Sequence, residues 1–300
     1  MTAPGLTDLV PDSPPESGGP PPARRGRLDL KTALAYLLLT LGVVVTLFPF
    51  AWMVLTSLKG FQELFNLSFL PQDPTLDNYK QVLTQTKFLT WFGNSLLIAA
   101  ITTLSVLFFD SLVGYTLAKF DFPGKNLIFL LILSTLMIPT EMLVIPWFVG
   151  VSDLQLAKSV PGAYFAIMFP GLMSAFGVFL MRQFFESLPT DLLEAARIDG
   201  MSEFGIFWKI AMPLVSPALA SLGIFTFLGN WNAFLWPLIV IQQPQFRTLP
   251  VGTALFNGEA GTQWGLIMAA SSLAVIPVLI VFAIFQKQII DGIVLTGMKG

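Results

Sequence analysis

The chain has 300 residues, 54% hydrophobic and 11% charged, with a mean hydropathy of +0.74 and a net charge of −2. Soluble chains carry about 25% charged residues, so this one lacks the polar groups to coat a globule of its size and reads as a membrane protein. It has no cysteine and no histidine, which excludes disulfides, thiol nucleophiles, Ser-His-Asp hydrolysis and His-ligated zinc; the acidic balance excludes nucleic acid as a partner.

Residues 1–23 hold seven prolines and three glycines and nothing apolar enough to pack. The stretch 1–30 therefore reads as a disordered Pro-rich tail, and 31–300 as one membrane domain. Arg24, Arg25, Arg27 and Lys31 then precede 27 uncharged residues, Thr32 to Leu58, longer than the apolar part of a signal peptide and suited to an anchor. About 20 apolar residues span a bilayer. Six segments qualify, at about 32–56, 91–118, 127–150, 161–183, 213–240 and 264–286, so the fold class is an all-α polytopic membrane protein with six transmembrane helices. With the N-terminus inside, eleven Lys and Arg fall on the inner side and five on the outer, which favours both termini on the cytoplasmic side of the membrane. Trp91, Trp147, Trp208 and Trp264 fall near span ends, where an interfacial belt would put them.

Two loops are long, 57–90 outside and 184–212 inside. The inner one reads Pro189-Thr190-Asp191-Leu192-Leu193-Glu194-Ala195-Ala196-Arg197-Ile198-Asp199-Gly200. Asp191 followed three residues later by Glu194 resembles a capping box, and Gly200 is placed to end the helix at C′. Ser202 offers a second N-cap before Glu203 and Phe204. Two short helices with a tight glycine turn would form a knob on the cytoplasmic face; packing under its own bundle is the structural alternative. Gly124-Lys125 has Lys119 where a phosphate loop needs glycine, so no nucleotide site is expected on this chain.

Glu194-Ala195-Ala196, Asp199-Gly200, Phe207, Ile210, Pro213 and Pro217 together resemble the signature of binding-protein-dependent ABC importer permeases. Asp77-Asn78-Tyr79, Asn94-Ser95, Phe122-Pro123-Gly124-Lys125, Ile138-Pro139, Trp231-Asn232, Pro237-Leu238 and the terminal Gly297-Met298-Lys299-Gly300 are similar to its carbohydrate branch, the maltose-type permeases. The resemblance covers about residues 30–300. It implies a cytoplasmic coupling-helix loop in which Glu194, Ala195, Ala196, Asp199 and Gly200 contact a separate ATPase. Gly297, Lys299 and Gly300 would form a tail directed at the ATPase pair. It also implies a second, related permease subunit, two ATPase subunits and an extracytoplasmic sugar-binding protein. ATP and magnesium would bind the ATPase, leaving this chain without a cofactor, without a metal and without catalysis of its own. The implied cargo is a di- or oligosaccharide, moved by alternating access; glycerol-3-phosphate or another polyol is the alternative.

Polar groups inside spans are costly and mark functional positions. Glu141 lies between Pro139 and Pro146, which are expected to kink span three. Asn230, Trp231 and Asn232 lie in span five. Amides and a carboxylate can bind sugar hydroxyls, and an indole can stack on sugar C–H groups. These four residues are the candidate substrate pathway, with helix packing as the competing reading. Asp110 in span two is assigned to packing. An ion-coupled secondary transporter using Asp110 and Glu141 is the rival class. An intramembrane aspartyl enzyme is a weaker one, because only Asp110 lies well inside a span.

Overall fold

The computed structural model describes residues 30–66, 68–258 and 261–297. The Pro-rich tail of the expected 1–30 segment, and Lys299 and Gly300 of the expected C-terminal contact, lie outside the described residues. The helices, in order, are α1 (Leu30–Ser57), α2 (Asp77–Gln85), α3 (Phe88–Lys119), α4 (Lys125–Ser134), α5 (Thr140–Asp153), α6 (Val160–Met168), α7 (Ala175–Glu186), α8 (Thr190–Ile198), α9 (Glu203–Ile206), α10 (Met212–Leu214), α11 (Ser216–Trp231), α12 (Leu235–Val240), α13 (Leu249–Ala254) and α14 (Trp264–Gly297). The strand content among the described residues is one antiparallel pair, Asn257–Gly258 with Gly261–Thr262. The chain divides into two compact units, Met1–Pro49 and Phe50–Gly300. In the first, the described residues are all exposed helix, which suits a hydrocarbon surround rather than water.

Three helices are long and apolar enough to cross a membrane unbroken: α1, α3 and the part of α14 up to Lys287. Three bent pairs bring the number to as many as six, as many as the expected spans, although the last pair covers Glu203–Leu214 and Ser216–Trp231 rather than 213–240. The spans expected at 127–150, 161–183 and 213–240 are therefore not continuous helices. The third bends by 96° between Met137 and Thr140. Pro139 stands at the N-cap of α5, where its missing N–H costs nothing; Pro146, expected to kink the span as well, sits inside α5. The fourth bends by 55° between Gly171 and Ala175. In the fifth, α11 leaves the preceding Glu203–Leu214 segment at 82° and ends at Trp231, and α12 restarts at Leu235. The sixth runs past its expected end at 286 to Gly297.

The long helix α3 is the spine of the second unit. It packs against α7 so closely that a Cβ on Gly114 would lie 2.8 Å from the backbone nitrogen of Arg182. One core, at the end that carries α8, gathers Tyr115, Phe185, Leu193, Ile206, Phe207 and Leu222. The core at the other end gathers Phe88, Trp91, Phe227, Trp231 and Phe256. There the motif residues act as ties. The Asn78 amide donates to the carbonyls of Ser57 and Lys59, each at 2.9 Å, and so caps the end of α1. Asn94 donates to the carbonyls of Gln245 and Arg247 at 2.8 and 2.9 Å and accepts from the Tyr164 hydroxyl at 2.7 Å. Ser95 accepts from the Leu249 amide at 2.8 Å. Trp91 is buried and donates to the Pro244 carbonyl at 3.2 Å, so it is a core residue and not part of an interfacial belt.

Gly114→Ala is expected to push α3 off α7 and to cost about 1–3 kcal/mol. Gly93 lies on the same helix with nothing within 4 Å of a built Cβ, so Gly93→Ala should be neutral or stabilising. Thermal unfolding of the detergent-purified protein compares the two.

Candidate functional site

The sharpest sequence motif forms the knob that was expected, though it starts differently. The N-cap of α8 is Pro189, with no side-chain cap hydrogen bond. Asp191 thus falls inside the first turn, where its carboxylate complements the helix dipole, and the capping box does not form. The C-terminus is as the sequence indicated. Gly200 has φ +79°; its amide donates to the Arg197 carbonyl and the Met201 amide to the Ala196 carbonyl, both at 3.0 Å. This pair of bonds is a Schellman motif, whose left-handed residue is glycine because a Cβ is strained there. Ser202 caps α9 by accepting from the Gly205 amide at 3.2 Å.

The two short helices are then locked to each other. Arg197 Nε donates to Glu203 Oε1 at 2.7 Å and Nη2 to Oε2 at 3.2 Å. That fork-to-fork pair holds the Glu203 carboxyl below its usual range and raises Arg197. Leu193 and Ala196 are buried with Phe185, Ile206 and Phe207. The opposite face of α8 is open: Glu194, Ala195, Asp199 and Gly200 are exposed, and Ile198 is 86% exposed. Of the five expected coupling residues, four share the outward face and Ala196 turns inward to seat the helix. A single π turn, Phe207–Ala211, joins the knob to the segment that leads into α11. Both readings of the loop hold in part: one face packs under the bundle and the other is free.

The four candidate pathway residues separate. Glu141 is exposed in the first turn of α5, beside the 96° break. Asn230 is half-buried; its amide donates to the Thr226 carbonyl at 2.9 Å, and its Oδ1 lies 3.4 Å from where a Cβ on Gly171 would be. The breaks of the fourth and fifth spans therefore lie side by side. Asn232 is exposed and donates to the Leu228 carbonyl at 3.0 Å. Trp231 is 3% exposed, stacked on Phe227 at 6.0 Å and edge-on to Phe92 at 5.3 Å. Its ring fixes the end of α11 from within. Among the described residues no hydrogen bond or ring contact joins Glu141 to the Asn230–Asn232 group.

Asp110 has the structural role assigned to it, with a partner that the sequence reading missed. It is fully buried. Its two oxygens lie 3.1 Å from the Ser174 amide, and Oδ2 accepts from the Ser174 hydroxyl at 2.8 Å. Ser174 in turn is the N-cap of α7 and accepts from the Gly177 amide at 2.9 Å. A Cβ at Gly177 would come within 2.1 Å of Asp110 Oδ2. One turn away, the Ser105 hydroxyl donates to the Leu172 carbonyl at 2.7 Å. The carboxylate thus stabilises the N-terminus of a half-helix, a use that leaves no open ligand set for an ion. Pro170-Gly171 was the available sign of this break. Among the described residues no group of three or more acidic, His or Cys side chains could hold a metal ion.

Residues 110–293 match the family described as binding-protein-dependent transport system inner membrane component. The chain belongs to this family. It is similar to an arabinooligosaccharides transport system permease protein, AraQ, of Halalkalibacterium halodurans, at 39% identity over 88% of this chain and 96% of that one. It is also similar to the trehalose/maltose transport system permease protein MalG of Thermococcus litoralis, at 33% identity over 90% and 98%. Among solved structures, a bacterial ABC transporter involved in the import of the acidic polysaccharide alginate superposes with a TM-score of 0.75 at 25% identity, over 87% of this chain and 98% of that chain. The chain is thus a helical ABC transporter permease of the inner membrane.

Two tests address this geometry. Asp110→Ala is expected to destabilise the fold by about 1–3 kcal/mol, because the half-buried Ser174 amide and hydroxyl lose their acceptor. Gly177→Ala alone should destabilise through overlap, and the double variant should lose less than the sum, since the first change vacates the space needed by the second. Thermal unfolding of the four proteins reads out the cycle. The Arg197–Glu203 tie has a pH signature. A carboxyl whose folded pKa is depressed contributes stability that is present above its unfolded pKa, about 4.3, and lost as pH falls through the folded value. The pair is partly solvated, so its contribution is at most about 1 kcal/mol. The stability difference between the native protein and Glu203→Gln should shrink toward zero below about pH 4.

Proposed function

We propose that this chain is one transmembrane subunit of an ATP-driven, binding-protein-dependent importer of sugars, with a di- or oligosaccharide as cargo. The names of its relatives, an arabinooligosaccharide and a trehalose/maltose permease, support the cargo class. The membrane domain is 31–300, preceded by a Pro-rich tail, with both termini cytoplasmic. A second, related permease completes the translocation path, two cytoplasmic ATPase subunits bind and hydrolyse ATP with magnesium, and an extracytoplasmic binding protein delivers sugar. This chain catalyses no bond change.

The observation that carries the reading is the two-faced α8–α9 knob. A lever must be rigid, joined to what it moves, and open on the side where it is pushed. The Schellman turn, the Arg197–Glu203 pair and the buried Leu193–Phe207 core supply rigidity. The π turn and α10 join it to α11. Glu194, Ala195, Asp199 and Gly200 present the pushed face to the ATPase, with Ala196 as the seat and Gly297, Lys299 and Gly300 as the second contact. ATPase closure moves α8, α11 tilts with it, and access to the pathway alternates between the two sides of the membrane. The pathway is lined at span breaks, where irregular backbone is tolerated only beside protein or a cavity. Glu141, Asn230 and Asn232 offer hydrogen bonds to hydroxyls there, and Trp231 positions the two amides.

In vesicles holding the whole transporter, Glu194→Lys combined with Asp199→Lys is expected to lower sugar uptake about tenfold or more, the equivalent of about 1.4 kcal/mol at the contact. Hydrolysis by the ATPase should no longer respond to sugar. Full uptake with this face inverted in charge would sink the lever. Separately, Glu141→Ala and Asn232→Ala should each reduce uptake with the sugar response of the knob intact; unchanged uptake in both removes them from the route.

A further inference from the structure

The motif Phe122-Pro123-Gly124-Lys125 plays no part in the scheme above. It builds a polar cavity of about 640 Å³ at the end of the bundle that carries α8, between the start of α4 and α7. Gly124 takes φ +84° and stands at the N-cap of α4 with no side chain to bind the first-turn amides. Lys125 and Arg182 line the wall, together with Asp121, Phe122, Asn126 and Leu127.

The cations are held but not saturated. Lys125 Nζ is 3.2 Å from Asp121 Oδ1, and Asp121 is fully exposed, so this is a solvated pair of little worth. Arg182 lies with its Cζ 3.8 Å from the centre of the Phe129 ring, which fixes the plane of the guanidinium. One of its amines reaches Glu186 at 2.8 Å. Its Nε–H is buried and has no hydrogen-bond partner. That hydrogen is closed off from the cavity, but a guanidinium has five N–H donors, and one carboxylate contact leaves others for an anionic oxygen. The uncapped N-terminus of α4 favours the same sign of charge.

We infer that this cavity binds the phosphodiester of an anionic phospholipid of the inner leaflet. Two acceptor oxygens suit a guanidinium and an ammonium that line one cavity. The choice of a lipid over free phosphate follows from the surround. Leu127, Ile128, Leu130 and Leu131, on the first turns of α4, are all exposed and present an apolar wall beside the polar cavity. Basic pockets between spans on the cytoplasmic side bind anionic headgroups in this way. The leaflet, though not the chemistry, rests on the orientation proposed above. The lipid would brace α4 against α7 on the inner side of the 96° break.

The test uses the assembled transporter, stripped in neutral detergent and returned to phosphatidylglycerol or phosphatidylcholine, with bound lipid counted by native mass spectrometry. The native complex is expected to retain phosphatidylglycerol preferentially. Lys125→Gln should weaken retention about fivefold, the effect of about one charge near the surface. Adding Arg182→Gln should weaken it further, and Lys125→Arg should preserve it. Lys125 can be changed without touching the Phe129 stack, so the single variant decides if the double one fails to fold. Equal retention by native and Lys125→Gln complexes overturns the site. Displacement of the lipid by inorganic phosphate overturns the lipid assignment in favour of a free anion. Sugar-stimulated hydrolysis measured in phosphatidylcholine reads the coupling face independently, so failure of one reading leaves the other standing.

Discussion

A helix that breaks inside a bilayer leaves amides and carbonyls that no water can reach, and each must find a partner within the protein. This constraint organises the second unit. The unbroken helix α3 supplies the partners: Ser105 for the Leu172 carbonyl, Asp110 for the Ser174 amide and hydroxyl, Asn94 and Ser95 for the segment that follows α12. A charged group is tolerable in the middle of an apolar helix only because a half-helix N-terminus is aimed at it. The same requirement explains Gly177, whose missing Cβ is what lets the carboxylate approach.

The breaks give the bundle a division of labour. Unbroken helices with satisfied backbones resist bending, whereas the junctions at 138–139, 172–174 and 232–234 can change angle without losing a helical ladder. Two of these junctions sit beside each other through Asn230 and Gly171. The junction at 172–174 is fixed by side chains of α3, Ser105 and Asp110, so a change of register between α3 and α7 would act on it directly. The α8–α9 knob is joined to the α11 side of these breaks through the π turn, and the Trp231 stack anchors the other end of α11.

How much of this was legible follows from where the determinants lie. Span positions depend on local hydropathy, and the six expected segments correspond to helices or helix pairs. The end of α8 was legible because Gly200 announces a left-handed turn by itself. Its beginning was not, because Pro189 takes the cap two residues early and demotes Asp191. The break before α7 was hidden because its stabilising partner is 64 residues away, and nothing near Ser174 marks it except Pro170-Gly171. Trp91 was misread for a related reason. An indole near a span end looks alike whether it meets lipid headgroups or a Phe, and only the packing of α3 on α11 and α14 decides.

The motif residues divide by the same logic into those that hold the molecule together and those that face outward. Asn78, Asn94 and Ser95 are fully engaged with backbone carbonyls and amides of their own chain. Their chemistry is consumed in closing the end of the bundle away from α8. Glu194, Ala195 and Asp199 make no such ties, and Lys125 makes only a solvated one. Residues whose polar atoms are already matched inside the fold can move a partner only by moving the fold. Residues left unmatched on a rigid support can meet a partner directly. By that criterion the outward face of α8 and the cavity at the start of α4 are places on the α8 end of the bundle where chemistry from outside the chain has something to bind.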